Sequence, residues 1–346
     1  METKFTNEEI VKEVTRFLIK KNDVWKKLYE GYAKEILGVN KEGVCDHLIE
    51  YEQEGKAFNK CLKSPFHLYS TFTTSKEGDC FDLRVLGKSV GKVEIKTKKI
   101  KLKEEKIKEL FERGVEPNSY ISIGDLLRVF KSNKIKKDYI QTKPKECQVE
   151  SQMLNLFAEL KGDNKPIKIQ PVTVGNAFIQ FQTPISASNH KELPHFQASI
   201  ERGAKGGGID ILARIRHEKG YASRLAVIEI KDENKPSETQ DVVMQQAIAY
   251  ATFIAFLMRS DFGNFWWTIF CRNKSSKPIL KQSFRLPPID VISLMPYSEE
   301  NKREGCLDEL KIKIPGKADV RLQPYTLYYI KQEDGSITFK GTLLDE

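Results

Sequence analysis

The chain has few of the features that mark secreted or membrane-spanning proteins. Its cysteines are scattered and include no close pair of the metal-binding kind: Cys45, Cys61, Cys80, Cys147, Cys271 and Cys306. Reduced thiols in a cytoplasmic protein are the expectation. No apolar run reaches the ~18 residues of a membrane helix, and the charged start METKFTNEEIVKEV lacks a signal-peptide core. We therefore expect a cytoplasmic protein without a membrane partner.

The charge of the chain is positive and unevenly distributed. The net charge is +9 over 346 residues, and residues 51–145 contain 22 basic against 13 acidic side chains. The densest basic stretch is GKVEIKTKKIKLKEEKIK, which makes Lys96, Lys98 and Lys99 candidate contacts to a nucleic-acid backbone. A solvated lysine face on a hairpin and a helix is the alternative explanation for this stretch.

Hydrophobic periodicity predicts a mixed α/β chain of two or three domains. The predicted elements are helices over 6–37, 103–113, 122–132, 146–160 and 237–259, strands within 68–102, 178–185, 206–216, 223–231 and 265–273, and further strands in 308–344. The segment SRLAVIEIK is continuously apolar, which favours a central strand covered on both faces. The order from residue 146 is helix, two or three strands, helix, strand.

The tripeptide EIK occurs twice, at residues 94–96 and 229–231. The first copy alternates with polar residues and predicts a half-exposed surface strand. The second copy ends the apolar strand, and Asp210 lies at the start of the preceding strand. If those strands form a hairpin, Asp210 and Glu229 come together, and two close carboxylates repel unless a cation neutralises them. Oxygen ligands of this kind suit Mg²⁺ or Mn²⁺, and Lys231 points to the same side as Glu229.

The pattern ID…VIEIK resembles the PD-(D/E)xK nuclease superfamily. The resemblance implies a restriction-endonuclease-like core, with a mixed central sheet flanked by helices. Asp210, Glu229 and the backbone carbonyl of Ile230 would bind a divalent metal, and Lys231 would orient the attacking water. The residue before Asp210 is isoleucine rather than the proline of the family's name, a departure that is common in the superfamily.

Two further features extend the resemblance. Gln246 and Tyr250 share one face of the following helix and match the Gln-x-x-x-Tyr motif of the RecB-type branch, with Gln245 as a less well aligned alternative. Many members of the superfamily carry a metal-binding Glu on the first core helix. Glu150 is the best candidate for it here, in competition with Glu146 and Glu159.

The run ERGAKGGGID immediately precedes Asp210 and does not match a phosphate-binding P-loop. Its three glycines allow a nucleic-acid backbone to approach closely, and Arg202 and Lys205 are then candidate contacts to phosphate. The alternative interpretation is a flexible loop.

The sequence thus predicts a metal-dependent nuclease with DNA as its substrate. The predicted layout is a basic α+β N-terminal domain (1–140), a nuclease-like domain (146–300) and a C-terminal β extension (301–346). The N-terminal domain would bind nucleic acid or mediate assembly, so a homo-oligomer is compatible with this layout. The alternative is a non-catalytic nucleic-acid-binding or scaffold protein that retains a nuclease-like fold.

Overall fold

A computed structural model shows how the predicted elements are arranged. It describes residues 5–37, 66–71, 80–94, 99–103, 105, 121–122, 145–159, 168–174, 177–187, 192–196, 207–217, 223–233, 238–271, 286–303, 307–333 and 337–344. These residues form a mixed α/β protein in two units. The first unit contains Met1–Lys34, Phe157–Val172 and Phe181–Glu346, and the second contains Glu35–Leu156 and Thr173–Gln180.

The described residues form helices and strands that we number in chain order. The elements are α1 (Asn7–Lys20), α2 (Asn22–Leu37), β1 (Phe66–Thr71), β2 (Cys80–Val85), β3 (Lys88–Glu94), β4 (Lys99–Leu102), β5 (Ile121–Ser122), α3 (Lys145–Glu159), β6 (Lys168–Pro171), β7 (Thr173–Val174), β8 (Ala177–Gln182), β9 (Ile185–Ser186), β10 (His195–Phe196), β11 (Gly208–Ile209), β12 (Ile211–Arg216), β13 (Arg224–Ile230), α4 (Gln240–Arg259), α5 (Gly263–Cys271), β14 (Ile289–Pro296), β15 (Leu310–Ile312), β16 (Val320–Lys331) and β17 (Ile337–Lys340). The helices predicted over 103–113 and 122–132 lie almost entirely outside the described residues.

A mixed sheet forms the centre of the first unit, in the order β15-β16-β14-β13-β12-β6, with β17 also paired to β16. Strands β13, β14 and β16 run parallel, whereas β12 is antiparallel to both β13 and β6. From Leu225 to Ile230 every residue of β13 is buried, which confirms the prediction of a central strand covered on both faces. The predicted C-terminal strands are also confirmed, as β15, β16 and β17.

Helix α4 is the buried helix of the first unit. It packs against β13, β14 and β16 and against α1. It begins after its N-cap residue Thr239, whose side chain makes no capping hydrogen bond. By length and composition α4 alone among the described helices could cross a membrane, but 89% of its apolar window is buried inside the protein. Its apolar surface is therefore already covered by the sheet and by neighbouring helices.

Helices α1 and α2 confirm the helical spacing predicted for residues 6–37. Thr6 and Glu9 form a reciprocal capping box at the start of α1. The two helices are separated by a turn at Lys21. The indole of Trp25 donates a hydrogen bond of 2.8 Å to the carbonyl of Leu18 and so stabilises this corner. Helix α1 belongs to the same unit as α4 and packs against it, and the predicted domain boundaries stay a prediction.

The strand predicted over residues 265–273 is wrong, because Gly263–Cys271 is the helix α5. A short apolar run does not distinguish a buried strand from a buried helix. The buried positions here, Phe262, Trp266, Ile269 and Phe270, have helical spacing. The strand that follows α4 in the sheet is β14 instead, in a proline-flanked segment that was not predicted as a strand.

The second unit contains a mixed sheet in which β1, β2, β3, β4 and β5 are successive antiparallel neighbours. The other edge of β1 pairs in parallel with Phe178, Ile179 and Gln180 of β8. Leu86 and Gly87 have positive φ angles of 48° and 77° and make the turn between β2 and β3. The strands predicted within 68–102 are therefore confirmed, with the turn at Gly87 and with Gly91 inside β3.

Candidate active site

The hairpin of β12 and β13 brings Asp210 next to the second EIK copy. Ile211 pairs with Ile228 in an antiparallel register, so the next residues outward on the two strands are Asp210 and Glu229. The Oδ2 atom of Asp210 accepts a hydrogen bond of 2.8 Å from the backbone amide of Ile230. The predicted hairpin is thus confirmed, and Asp210 is attached to the end of β13.

Glu229 and Lys231 project from the same side of β13 and form a buried ion pair. Their side chains are 1% and 5% exposed, and Lys231 Nζ lies 3.4 Å from Glu229 Oε1. A second carboxylate, Glu238 Oε2, lies 3.8 Å from the same ammonium. A buried charge needs a partner of opposite sign. Lys231 therefore compensates the negative charges of Glu229 and Glu238 at the carboxyl end of the central strand.

Helix α4 contributes Gln246 and Tyr250 to the site that contains Asp210, Glu229 and Lys231. Gln246 Nε2 donates to Tyr250 Oη at 3.4 Å, across one helical turn. Burial raises the pKa of the Tyr250 phenol far above its ordinary value, and the negative charges of Glu229 and Asp210 add to the effect. The charge of Lys231 and the hydrogen bond from Gln246 act in the opposite direction. Tyr250 is therefore close enough to all three charged motif residues to interact with them.

The neighbouring glutamine, Gln245, points elsewhere. Its Nε2 atom donates a hydrogen bond to the carbonyl of Phe5. Of the two candidates in the sequence, Gln246 is thus the one whose side chain bonds to Tyr250. The i, i+4 spacing of Gln246 and Tyr250 places both side chains on one face of α4.

Gly207 lies directly against the hydroxyl of Tyr250. A Cβ atom added at residue 207 would lie 2.1 Å from Tyr250 Oη. The backbone of Gly207 is fixed on its other side, because its amide donates to the carbonyl of Ile185 and its carbonyl accepts from the amide of Thr183, at 2.7 and 2.8 Å. Gly207, three residues before Asp210, therefore permits a close approach between its own segment and helix α4 of the same chain.

Three polar residues near this edge were not predicted from the sequence. Ser293 of β14 is the sheet neighbour of Glu229, and it accepts a hydrogen bond from Gln240. Glu238 and Gln240 lie at the start of α4. The start of the helix that follows β13 and the carboxyl ends of two parallel strands meet at one edge of the sheet. That placement is the signal that could have identified them.

The other predicted site residues lie either in the second unit or outside the described part of the chain. Glu150 belongs to the second unit, where it accepts a hydrogen bond of 2.8 Å from the Tyr69 hydroxyl; its role as a metal ligand stays a prediction. Lys99 begins β4, but its side chain is outside the described part of the chain. Lys96, Lys98, Arg202 and Lys205 also lie outside the described residues, and their contacts to nucleic acid stay predictions.

Carboxylate oxygens are the candidate metal-binding atoms at this edge. Among the described residues no group of three or more His, Cys, Asp or Glu side chains could hold a metal. Asp210 and Glu229 supply carboxylate oxygens, and Mg²⁺ is commonly bound through one or two carboxylates while it keeps several waters. Binding of Mg²⁺ or Mn²⁺ by these two carboxylates and the carbonyl of Ile230 stays a prediction.

Comparisons of the chain with protein-family models, with curated proteins and with solved structures found no match.

Proposed function

We propose that this protein is a divalent-metal-dependent nuclease that hydrolyses phosphodiester bonds, with DNA as its substrate. The observation that carries the proposal is the meeting of Asp210, Glu229, Lys231, Gln246 and Tyr250 at one sheet edge. Asp210 immediately precedes β12, Glu229 and Lys231 lie at the end of β13, and Gln246 and Tyr250 belong to α4. Two carboxylates, one ammonium and a hydrogen-bonded phenol are the kinds of group that catalytic sites bring together.

The order of elements also supports a restriction-endonuclease-like core. Helix α3 is followed by β6, then after the strands β7 to β11 by the antiparallel pair β12 and β13, and then by helices α4 and α5 and strand β14. The core strands β6, β12, β13 and β14 are neighbours in one mixed sheet. This is the helix, strands, helix, strand order of the superfamily that the motif resembles, with β14 as its last strand.

The residues have distinct roles in this proposal. Asp210, Glu229 and the carbonyl of Ile230 would hold Mg²⁺ or Mn²⁺, and such an ion activates water and offsets charge on a phosphate. Lys231, within 3.4 Å of Glu229, would hold a water or a phosphate oxygen beside the carboxylates. Gln246 and Tyr250 close the helix side of the site with neutral polar groups. The basic segment 51–145 would bind the nucleic-acid backbone.

A nuclease assay with matched variants tests the proposal. Purified protein is incubated with single- and double-stranded DNA and RNA in the presence of Mg²⁺ or Mn²⁺. Asp210→Asn, Glu229→Gln and Lys231→Met should each lower the cutting rate by about 100-fold or more. The control is Lys311→Met. Lys311 belongs to another Glu-x-Lys triplet, and its exposed side chain pairs with Asp319.

Two outcomes contradict the proposal in different ways. Absence of cutting on every substrate, together with absence of Mn²⁺ binding by calorimetry, would favour the scaffold alternative. Loss of cutting in Glu94→Gln but not in Glu229→Gln would move the site to the other EIK copy.

A further inference from the structure

A second polar site lies in the first unit, at the far end of α4. It is a cavity of about 220 Å³ between the α1–α2 corner, the last turn of α4 and the segment that joins β15 to β16. Arg259 is nine residues beyond Tyr250, which is about 13 Å along the axis of an α-helix. The cavity is thus separate from the candidate active site, and a ligand could bind in it whether or not the protein cuts nucleic acid.

Three cationic side chains line this cavity. Arg259 is 8% exposed, whereas the side chains of Lys26 and Lys317 are 28% and 30% exposed at the rim. Burial lowers the pKa of the Arg259 guanidinium, because removal from water penalises the charged form.

One carboxylate lies at the rim of the cavity. Asp261 is 76% exposed, and its oxygens lie 3.1 Å from Lys317 and 3.9 Å from Lys26. Ion pairs this exposed contribute little to stability. Asp261 thus supplies one negative charge beside the three cations that line the cavity. An incoming dianion would compete with Asp261 for the two lysines.

The remaining wall of the cavity is largely apolar. Phe256, Ile19 and Pro315 face it, and the amide side chain of Asn22 supplies one neutral polar group. Ile19 is 46% exposed, one of two large hydrophobic side chains that are exposed in the described part of the chain. An apolar wall beside a concentrated positive charge is the arrangement that binds a ligand with an anionic head and an apolar body.

We propose that this cavity binds a small organic phosphate of about the size of a nucleoside monophosphate. The phosphate would lie between Arg259, Lys26 and Lys317, since a guanidinium and two ammonium groups match a dianion better than a singly charged carboxylate. The organic part would contact Phe256 and Pro315. The volume of about 220 Å³ is below that of typical ligand pockets, so part of the ligand would project into solvent.

Calorimetry at low salt with three probes tests the phosphate and the organic part separately. The probes are dAMP, inorganic phosphate and uncharged deoxyadenosine. We expect dAMP to bind tightest, phosphate more weakly, and deoxyadenosine without measurable heat. Equal binding of dAMP and deoxyadenosine, or no binding of dAMP at millimolar concentration, would overturn the proposal.

Charge variants identify the cavity as the place of binding. Lys317→Met should weaken dAMP binding by about tenfold, and Arg259→Met by about 10- to 100-fold, as expected for hydrogen bonds to charged groups. Asp261→Asn should tighten binding, because it removes the competing carboxylate. Lys311→Met, an exposed lysine outside the cavity, is the control. If Arg259→Met does not fold, the opposite effects of Lys317→Met and Asp261→Asn still decide the question; unchanged affinity in both would contradict it.

Discussion

The carboxylate of Asp210 is joined to the backbone amide of Ile230 by a hydrogen bond of 2.8 Å. The bond spans the open end of the β12–β13 hairpin, one residue from Glu229. An N–H bond to a carboxylate is charge-assisted and stronger than a neutral one, so it fixes the position of Asp210 even though the residue lies between two strands. The two carboxylates of the candidate site are therefore held by backbone geometry as well as by side-chain packing.

The ion pair of Glu229 and Lys231 predicts a large effect on stability. Lys231→Met should lower the free energy of unfolding by about 3–5 kcal/mol at neutral pH, because it leaves a buried carboxylate without its nearest cation. Urea denaturation followed by tryptophan fluorescence measures the change, since Trp25, Trp266 and Trp267 all belong to the first unit.

A double-mutant cycle separates the pair from simple loss of packing. Glu229→Gln combined with Lys231→Met should recover much of the lost stability, since Glu229, the more buried of the two carboxylates beside Lys231, is then replaced by a neutral side chain. Lys311→Met should change stability by less than about 1 kcal/mol, as is usual for an exposed pair. A double variant whose loss of stability equals the sum of the losses in Glu229→Gln and Lys231→Met would show that the two side chains are not coupled.

The contact between Gly207 and Tyr250 predicts a steric effect. Gly207→Ala should destabilise the protein by about 1–3 kcal/mol, because the new methyl group would overlap the Tyr250 hydroxyl. Tyr250→Phe should reduce that cost only in part, because it removes the nearest atom but leaves the ring atoms Cζ and Cε1 at 2.6 and 2.7 Å from the new methyl group. Thermal unfolding of the two single variants and of the double variant measures the coupling.

Gly31→Ala is the matched control for this substitution. Residue 31 lies in α2, where an added Cβ has no other atom within 4 Å. Alanine should therefore be neutral there or stabilise the helix by up to about 1 kcal/mol. Equal effects of alanine at residues 207 and 31 would show that the contact with Tyr250 carries no constraint.

The sequence predicted the hairpin and the helix face of the candidate site correctly because both depend on local periodicity. Alternation in β13 places Glu229 and Lys231 on one side, and the i, i+4 spacing places Gln246 beside Tyr250. These relations hold wherever the elements pack. The same i, i+4 spacing identified Gln246, rather than Gln245, as the glutamine on the helix face of Tyr250.

The parts that depend on tertiary contacts could not be read from the sequence. The run FWWTIFCRN is apolar at nearly every position, so the identity of α5 is decided by the surfaces that it meets. Glu238 reaches Lys231 only because the start of α4 folds over the end of β13. The strand β14 is flanked by prolines, and its role as the neighbour of β13 follows from sheet pairing.

A buried histidine in the second unit predicts how stability depends on pH. His67 is 4% exposed, and its Nε2 lies 2.9 Å from the hydroxyl of Ser151. Burial lowers the pKa of His67 to about 4, although a backbone hydrogen bond with Ser151 opposes the shift. The folded unit therefore contains the neutral imidazole at pH values where the unfolded chain is already protonated.

The sign of the effect follows from this difference in proton binding. A depressed folded pKa contributes stability that is present above the unfolded value of ~6.5 and is lost as the pH falls toward 4. The loss should reach about 3 kcal/mol at pH 4. His67→Gln has no titrating group at this position, so the stability advantage of the wild type over this variant should shrink by that amount between pH 7 and pH 4. Urea denaturation followed by far-UV circular dichroism measures it, with His195→Gln at an exposed position as the control. A stability difference between wild type and His67→Gln that stays constant over this range would contradict the burial of a neutral imidazole against Ser151.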